Sequence, residues 1–512
     1  MTAQAVEEPE DDRDQDERDR GREGEFAAVI GLEVHIQLET STKIFCGCST
    51  EPTDEPNTNV CPTCLGLPGA LPVPNEAAID AALKLGKAID AEVPDRTRFH
   101  RKNYYYPDLP KNFQITQYDA PICADGALEV RAEGESREIG ITRAHLEEDP
   151  GSLQHARDGR RTSIDAAEYT LVDYDRAGVP LMEIVTEPDF RNPAEVRGFL
   201  SKLESVLEYL GIFDAGRDGS LRIDANISMV PDSEVEADGS ISAAGLGSAN
   251  RTEVKNISSH KGAQKALAYE VTRQRNALQR DREVEQETRH WDESRGVTIS
   301  MRTKEAEADY RYFAEADLPP LKIAERAREI EIPELPDARR ERFENQYGLG
   351  REAASKLTST KAVAGFYERM TAEFDPDLAA TWVADELLGE LNYRDMSIED
   401  VDDRLPEFRR LIELVDGDEL TSKNATMVLR AMLDEGEEPE SIIEREGLGK
   451  AEGEEVSAAV EAAIEDHPEA VADYENGEEG AINFLVGQVM QATGGSADPG
   501  SVNGMLRERL DG

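Results

Sequence analysis

Four of the five cysteines fall in two tight pairs, Cys46-Gly-Cys48 and, after twelve intervening residues, Cys61-Pro-Thr-Cys64. Two thiolate pairs joined by a loop supply the four soft ligands that tetrahedral zinc takes. The alternative is a set of reduced, inert thiols in a core, and Cys123, which has no partner in sequence, reads that way. A second group combines carboxylates with one imidazole. In GLEVHIQLE, Leu32, Val34, Ile36 and Leu38 alternate with Glu33, His35, Gln37 and Glu39. A half-buried strand would therefore present Glu33 and His35 side by side on its polar face. Glu147, Glu148 and Asp149 follow His145 in HLEEDPG, and Glu183 lies inside the apolar run PLMEIV. A carboxylate embedded in such a run is costly unless it is paired or binds a cation. Oxygen ligands with one imidazole suit a magnesium ion that carries a nucleotide phosphate. Against this stands a plainer reading, with Glu183 facing solvent on an edge strand and Glu147 to Asp149 forming a turn.

Three further segments carry charge in a usable pattern. RKNYYYPDLPKNFQITQYD sets Arg101, Lys102 and Lys111 among Tyr104, Tyr105 and Tyr106, a mixture able to hold phosphates or stack on a base; a tyrosine-rich core edge with snorkelling bases is the plainer alternative. In GSLRIDANIS, Arg222 and Asp224 alternate with Leu221 and Ile223 and would share one side of a strand. RTEVKNISSHKG places Lys255 and Asn256 ahead of a helix start at Ser258 or Ser259, where free N–H groups favour an anion or a simple cap. The chain has no GxxxxGK[ST] loop, GxGxxG fingerprint or GxSxG elbow, so any nucleotide is held outside those cradles.

These residues need elements to position them. From Phe26 to about Leu321 short apolar runs are punctuated by Gly, Pro, Asn and Asp, predicting strands, with helices over Glu76–Asp90, Pro193–Leu210 and Lys261–Arg282. From Asp337 onward the pattern is one of amphipathic helices, which sets a domain boundary near 325, and acid-rich stretches near 435–455 mark a second. The first 25 residues are nearly all charged or small and read as a solvated acidic tail. No apolar run is long enough to span a membrane. Few cysteines, most of them paired for metal, point to a reducing, cytoplasmic setting. The 512 residues carry 57 basic and 108 acidic side chains, a formal net charge of −51. That sign argues against casual nucleic-acid binding and against DNA as a partner. An acidic surface is instead the expected adaptation to concentrated salt, where screening shortens the range of repulsion to a few ångström.

Taken together and in order, VIGLEVHIQL, CGC, CPTCLGLPGALPVPN, RKNYYYPDLPKNFQITQYD, HLEEDPG, DYDRAGVPLMEIVTEPD, GSLRIDANIS, RTEVKNISS and MRTKEAEADYRYFAEADLPPL resemble the B subunit family of aspartyl/glutamyl-tRNA(Asn/Gln) amidotransferases, here of a halophilic archaeal type. INFLVGQVMQATGGSADPGSVNGMLRERL resembles that family's tRNA-binding tail. The related E subunit has an inserted domain ahead of the helical part; here PPLKIAERAREIEIPELPDARRERF leaves no room for one, which favours B. The resemblance implies an α+β fold. A mixed-sheet, kinase-like cradle would span 26–325, an all-α domain 326–443 and a tail module 444–512. It implies ATP-dependent phosphorylation of the side-chain carboxylate of misacylated Asp- or Glu-tRNA, then amidation by glutamine-derived ammonia, in a heterotrimer with A and C subunits. By motif, Glu33, His35, Glu148 and Glu183 would hold magnesium and Cys46, Cys48, Cys61 and Cys64 zinc. Glu148, Lys102 and Lys111 would be catalytic or line the ammonia path, with Arg222, Asp224, Lys255 and Asn256 toward ATP. The chain departs from the family at Arg217-Asp218 and at Ile223, where acidic residues and a cysteine are usual. A non-catalytic, zinc-stabilised tRNA-binding scaffold is the competing reading. Either one expects a local basic strip, on the cradle rim and tail, within the acidic background.

Overall fold

The computed structural model describes residues 26–511 apart from 163–165, 218, 237–238, 249, 302–309, 450–452, 477, 479 and 495. The acidic tail expected over residues 1–25 lies outside the described residues. The chain divides into two compact units between Leu335 and Pro336.

The first unit is built on an eight-stranded sheet. Its strands are β1 (Phe26–Gln37), β2 (Cys123–Ala132), β3 (Glu135–Glu148), β4 (Pro180–Thr186), β5 (Leu221–Pro231), β6 (Thr252–Ile257), β7 (Glu287–Asp292) and β8 (Val297–Ser300), in the spatial order β8-β7-β6-β5-β1-β4-β3-β2. All neighbours are antiparallel except β6 and β7, so the sheet is mixed. The parallel pair is joined by a helix, as a parallel connection requires. Alternation in β1 sends Ile30, Leu32, Val34 and Ile36 into the core at 0–1% exposure, joined there by Ile184, Met182, Ala144, Leu146, Ile223 and Ala225 from its neighbours.

Three helices supply the opposite wall of that core: α1 (Glu76–Ala88), α2 (Pro193–Leu210) and α3 (His260–Leu278). Each starts where a side chain caps it. Asn75 accepts from Ala77 N, Asn192 forms a capping box with Glu195, and Ser259 accepts from Gly262 N. Pro193 in the first turn and Gly211 at φ 66° after the last set the limits of α2. Its apolar stripe, Val196, Phe199, Leu200, Leu203 and Leu207, is buried throughout. Two small ladders flank the sheet, one pairing His100–Asn103 with Phe113–Thr116 and Phe313–Ala314, the other Arg96–Thr97 with Leu321–Lys322.

The second unit is helical among its described residues, so the whole chain is α+β with an all-α C-terminal part. Helices between Pro336 and Glu446 enclose one core around Phe343, Trp382, Leu411 and Leu429. Those between Gly453 and Asp511 enclose another around Val460, Leu485, Val489 and Leu506.

Phe199 is fully buried and meets Phe190 edge-to-face, with 5.2 Å between ring centroids. Phe199→Ala should therefore lower the stability of the first unit by roughly 3–5 kcal/mol. Chemical denaturation of the full chain in concentrated KCl measures it; a loss below ~1 kcal/mol would mean that α2 is not docked as described.

Candidate active site

The face of the sheet away from the helices is polar, and cross-strand register decides what meets on it. His35 on β1 lies opposite Glu183 on β4 and Arg222 on β5, while Glu183 in turn lies opposite His145 on β3. His35 Nε2 is 3.4 Å from Glu183 Oε2 and 3.6 Å from Glu147 Oε1; His145 Nε2 is 3.5 Å from the same Glu183 oxygen. His35, Glu147 and Glu183 each offer a ligand atom, all within 4.8 Å of one another. Neighbouring ligands of an octahedral magnesium at 2.0–2.1 Å stand about 3 Å apart, so the donor set and its spacing fit that ion.

Burial and mutual charge shape the protonation of this group. Burial opposes a charge on His35, but the Glu183 hydrogen bond and the field of Glu147 outweigh it and push the imidazole up to about 9. Burial, reinforced by Glu183, raises Glu147 to about 7. For Glu183 burial is overcome by His145 and His35, and its pKa falls below the usual range. Burial drives His145 down to about 4, against the pull of Glu183. Lys102 adds a cation beside the group. Burial works against its charge, Glu147 and Tyr312 restore it, and its Nζ lies 4.9 Å from the Tyr310 ring centroid.

Glu148, expected among the magnesium ligands, is not one of this trio. Successive strand residues face opposite ways. Glu148 therefore turns away from Glu147, accepting from Ile115 N at 2.7 Å and pairing with Lys111 Nζ at 2.5 Å. The clue was present in the sequence: Ala144 and Leu146 share the parity of Glu148, and His145 shares that of Glu147. Glu33 keeps the expected face, one pleat along from His35, where Asn226 Nδ2 reaches its Oε1 at 3.3 Å. Burial and the nearby Glu183 and Asp224 raise its pKa.

The remaining expected nucleotide contacts are engaged by neighbours. Arg222 pairs with the buried Asp149 at 2.6 Å, and Gln37 holds the other Asp149 oxygen at 2.8 Å. Lys255 lies 3.2 Å from Asp224 and 2.9 Å from Glu253. Asn256, at φ 68°, gives its amide to Trp291 O across to β7.

Lys111 and Glu148 line a cavity of about 190 Å³, together with Arg101, Glu315 and Lys43. Cys46 and Cys64 bound it on one side. The sulfurs of the four paired cysteines also lie within 4.8 Å of one another, with Cys61 and Cys64 at 3.9 Å. Zn–S bonds of 2.3 Å in a tetrahedron separate sulfurs by about 3.8 Å, so the set fits zinc. Cys64 is poised as a thiolate. A hydrogen bond from Cys46 lowers its pKa to about 5 against burial, with help from the Cys61 backbone and from buried Lys43, whose Nζ is 3.8 Å away. Gly66, in the turn after these cysteines, has φ 64°, and a Cβ there would collide with Lys111 Cγ. The cysteine turn thus rests directly on the stem of Lys111. Cys123 is buried against Gly86 and Ala82, a core residue.

A polar sheet face bearing a trio that could hold a metal ion, with a lysine–glutamate pair at the end of the same strand, is the site that these elements assemble. The sequence profile of the GatB/GatE catalytic domain matches residues 28–329, and that of a GatB domain matches 365–510. The aspartyl/glutamyl-tRNA(Asn/Gln) amidotransferase B subunit from Haloquadratum walsbyi is 68% identical over 95% of this chain and 98% of its own length. Its counterpart from Natronomonas pharaonis is 68% identical over 96% and 99%, and that from Methanospirillum hungatei 51% over 95% and 99%. The chain belongs to the family of aspartyl/glutamyl-tRNA(Asn/Gln) amidotransferase B subunits.

Two outcomes follow from this geometry. Elemental analysis of the purified chain should find bound zinc, and Cys64→Ser should abolish it and lower the thermal midpoint; wild type free of metal would leave only inert thiols. A cation at His35, Glu147 and Glu183 must displace protons held up to about 7 and about 9. Manganese affinity, read by electron paramagnetic resonance, should accordingly rise from about pH 6.5 to about pH 8.5, because deprotonation frees the ligands. A flat profile would remove these groups from the ligand set.

Proposed function

We propose that this protein activates the side-chain carboxylate of Asp or Glu esterified to the wrong tRNA, using ATP. The observation that carries the reading is the trio of His35, Glu147 and Glu183 beside Lys102 on one sheet face, with Lys111 and Glu148 at the end of the same strand. A carboxylate is a poor acyl donor, so one of its oxygens attacks the γ-phosphorus of ATP, ADP leaves, and an acyl phosphate results. The trio, with Glu33 nearby, would hold magnesium, which would supply neutralisation of charge on the transferring phosphoryl group. Lys102 holds the phosphoryl oxygens, and Arg222, Asp224, Lys255 and Asn256 frame the nucleotide side of the sheet.

Ammonia, released from glutamine by a partner amidase, the A subunit, then attacks the acyl carbon and expels phosphate, giving Asn-tRNA(Asn) or Gln-tRNA(Gln). Glu148 accepts the proton that the nitrogen sheds, and Lys111, 2.5 Å away, holds that carboxylate in place. In this reading residues 26–325 form the catalytic cradle and 326–443 a helical domain. Residues 444–512 form a tRNA-binding tail, and zinc at the four cysteines is structural. With the A and C subunits the chain makes a cytoplasmic heterotrimer. The scaffold alternative accounts for the cysteines but gives no reason for two carboxylates and an imidazole to share a nearly dry site.

Glu183→Gln keeps the side chain's shape and removes its charge. In the complex with the A and C subunits, at high KCl, it should cut ATP hydrolysis that depends on misacylated tRNA by roughly 10²–10³-fold. Glu148→Ala should lose amidation in the same assay. A complex that binds the misacylated tRNA but turns over no ATP would replace the kinase reading with the scaffold.

A further inference from the structure

A chain of net charge −51 must still meet a polyanion, and one projecting element carries three arginines at its tip. Beyond Glu148, strand β3 passes through Pro150 into a three-stranded ribbon made of Ser152–Arg157, Arg160–Arg161 and Tyr169–Asp173. Asp158 at φ 50° and Gly159 at φ 74° form the two-residue turn at its tip, the backbone pattern of a tight hairpin. That turn sets Arg157 directly opposite Arg160, with Arg161 beside them opposite Ala156. Like charges directly opposed across a ladder are destabilising, and little here relieves them. Among the described residues Arg157 pairs with Glu168 at 3.3 Å, its side chain still 58% exposed, and neither Arg160 nor Arg161 forms an ion pair. Among the described residues, Asp158 in the turn is a further acid at the tip.

The ribbon is anchored and not merely extended. The Asn57 side chain accepts from Tyr174 N and donates to Val172 O, Asn57 N donates to Asp173, and Gly151 N donates to Asp108 O. The acids at its base, Asp173 and Asp175, are occupied by the backbone amides of Asn57 and Asn59. On the side shared with Arg161, Tyr169 is 45% and Leu171 53% exposed. Arg161 beside an exposed tyrosine is suited to a phosphate and an adjoining base or ribose, while Arg157 and Arg160 present their guanidinium groups on the other side of the ribbon. Arg157 follows Glu148 by nine residues, a span of at most about 30 Å. The tip is therefore tethered within reach of a nucleic acid whose acyl end lies at Glu147 and Glu148.

We infer that this arginine ribbon is a phosphate-contacting surface for the acceptor arm of the tRNA substrate, an inference that rests on the functional reading above. A basic pair on α3, Lys261 and Lys265, is on the helical side of the sheet, away from the polar face, and serves as a control.

The test compares wild type with Arg157→Gln/Arg160→Gln/Arg161→Gln and with Lys261→Gln/Lys265→Gln, each in the complex with its partner proteins. Dissociation constants for uncharged tRNA transcript are measured across a range of KCl. The ribbon variant should bind at least about ten-fold more weakly at the lowest salt, and its slope of log affinity against log salt should flatten by about 0.9 for each phosphate no longer neutralised. Amidation at saturating tRNA and the α3 control should be unchanged. An unaltered slope overturns the assignment, as does an equal effect in the control. Dissociation of a partner protein with tRNA affinity intact makes the ribbon a protein interface and overturns it too. A wild-type complex that binds no tRNA would instead sink the functional reading itself.

Discussion

The site depends on keeping two carboxylates and an imidazole together on a surface with little access to water. Isolated charges there would be costly to desolvate. Their mutual compensation works only if His35, Glu183 and His145 stay in cross-strand register. A slip of one residue would carry each of them to the other face. What prevents that slip is the reverse side of the same strands, where Val34, Ile184 and Ala144 sit at 0% exposure under the helices. Core packing and site geometry are thus one constraint, since every apolar contact that fixes a strand also fixes the acid or base on its other side.

The same parity separates two chemistries at the end of β3. Glu147 belongs to the buried trio; Glu148, its covalent neighbour, belongs to Lys111 and the cavity bordered by the cysteines. Asp149, next again, is drawn into a network with Gln37, Arg222 and Arg176. Three consecutive acids acquire three environments because a strand reverses direction at each step and then ends. A carboxylate of the trio and one paired with a lysine lie close together yet face opposite ways, because the strand itself stands between them.

Much of this was legible in the sequence, and the misses have physical reasons. The alternation in GLEVHIQLE gave both faces of β1, and the paired cysteine spacing gave the thiol cluster, since period and spacing are local properties. Which of Glu147 and Glu148 faces His35 and Glu183 was also a local matter, since successive strand residues face opposite ways, while the resemblance by motif named Glu148. Other contacts had no local signal. The ladder that brings Phe313 to Arg101, and with it the bidentate pairing of Arg101 to Glu315, joins residues more than two hundred apart. Asn256 read as a phosphate contact because a helix start follows it; the structure gives the cap to Ser259 and turns the asparagine to bridge two strands. A helix needs its first N–H groups satisfied whether or not a ligand arrives, so the Ser259 cap forms in either case.

The acidic surface becomes intelligible on the same terms. Haloquadratum and Natronomonas, sources of two close relatives, are salt-adapted archaea, and at about 1 M salt the Debye length is near 3 Å. Over such a distance the net charge of the chain neither repels nor steers a polyanion; only groups in direct contact are felt. Carboxylates can then cover the surface freely, while arginines matter one by one according to whether a neighbour already holds them. Several arginines of the helical unit are held in this way: Arg339 and Arg342 by Glu368, Arg394 by Glu390 and Asp434, Arg445 by Glu435 and Glu437. An arginine outside any such pairing, on an element built to project it, is therefore more informative in this chain than it would be in a neutral one. Binding by contact and not by long-range attraction is the regime in which a protein this acidic can keep a nucleic-acid substrate.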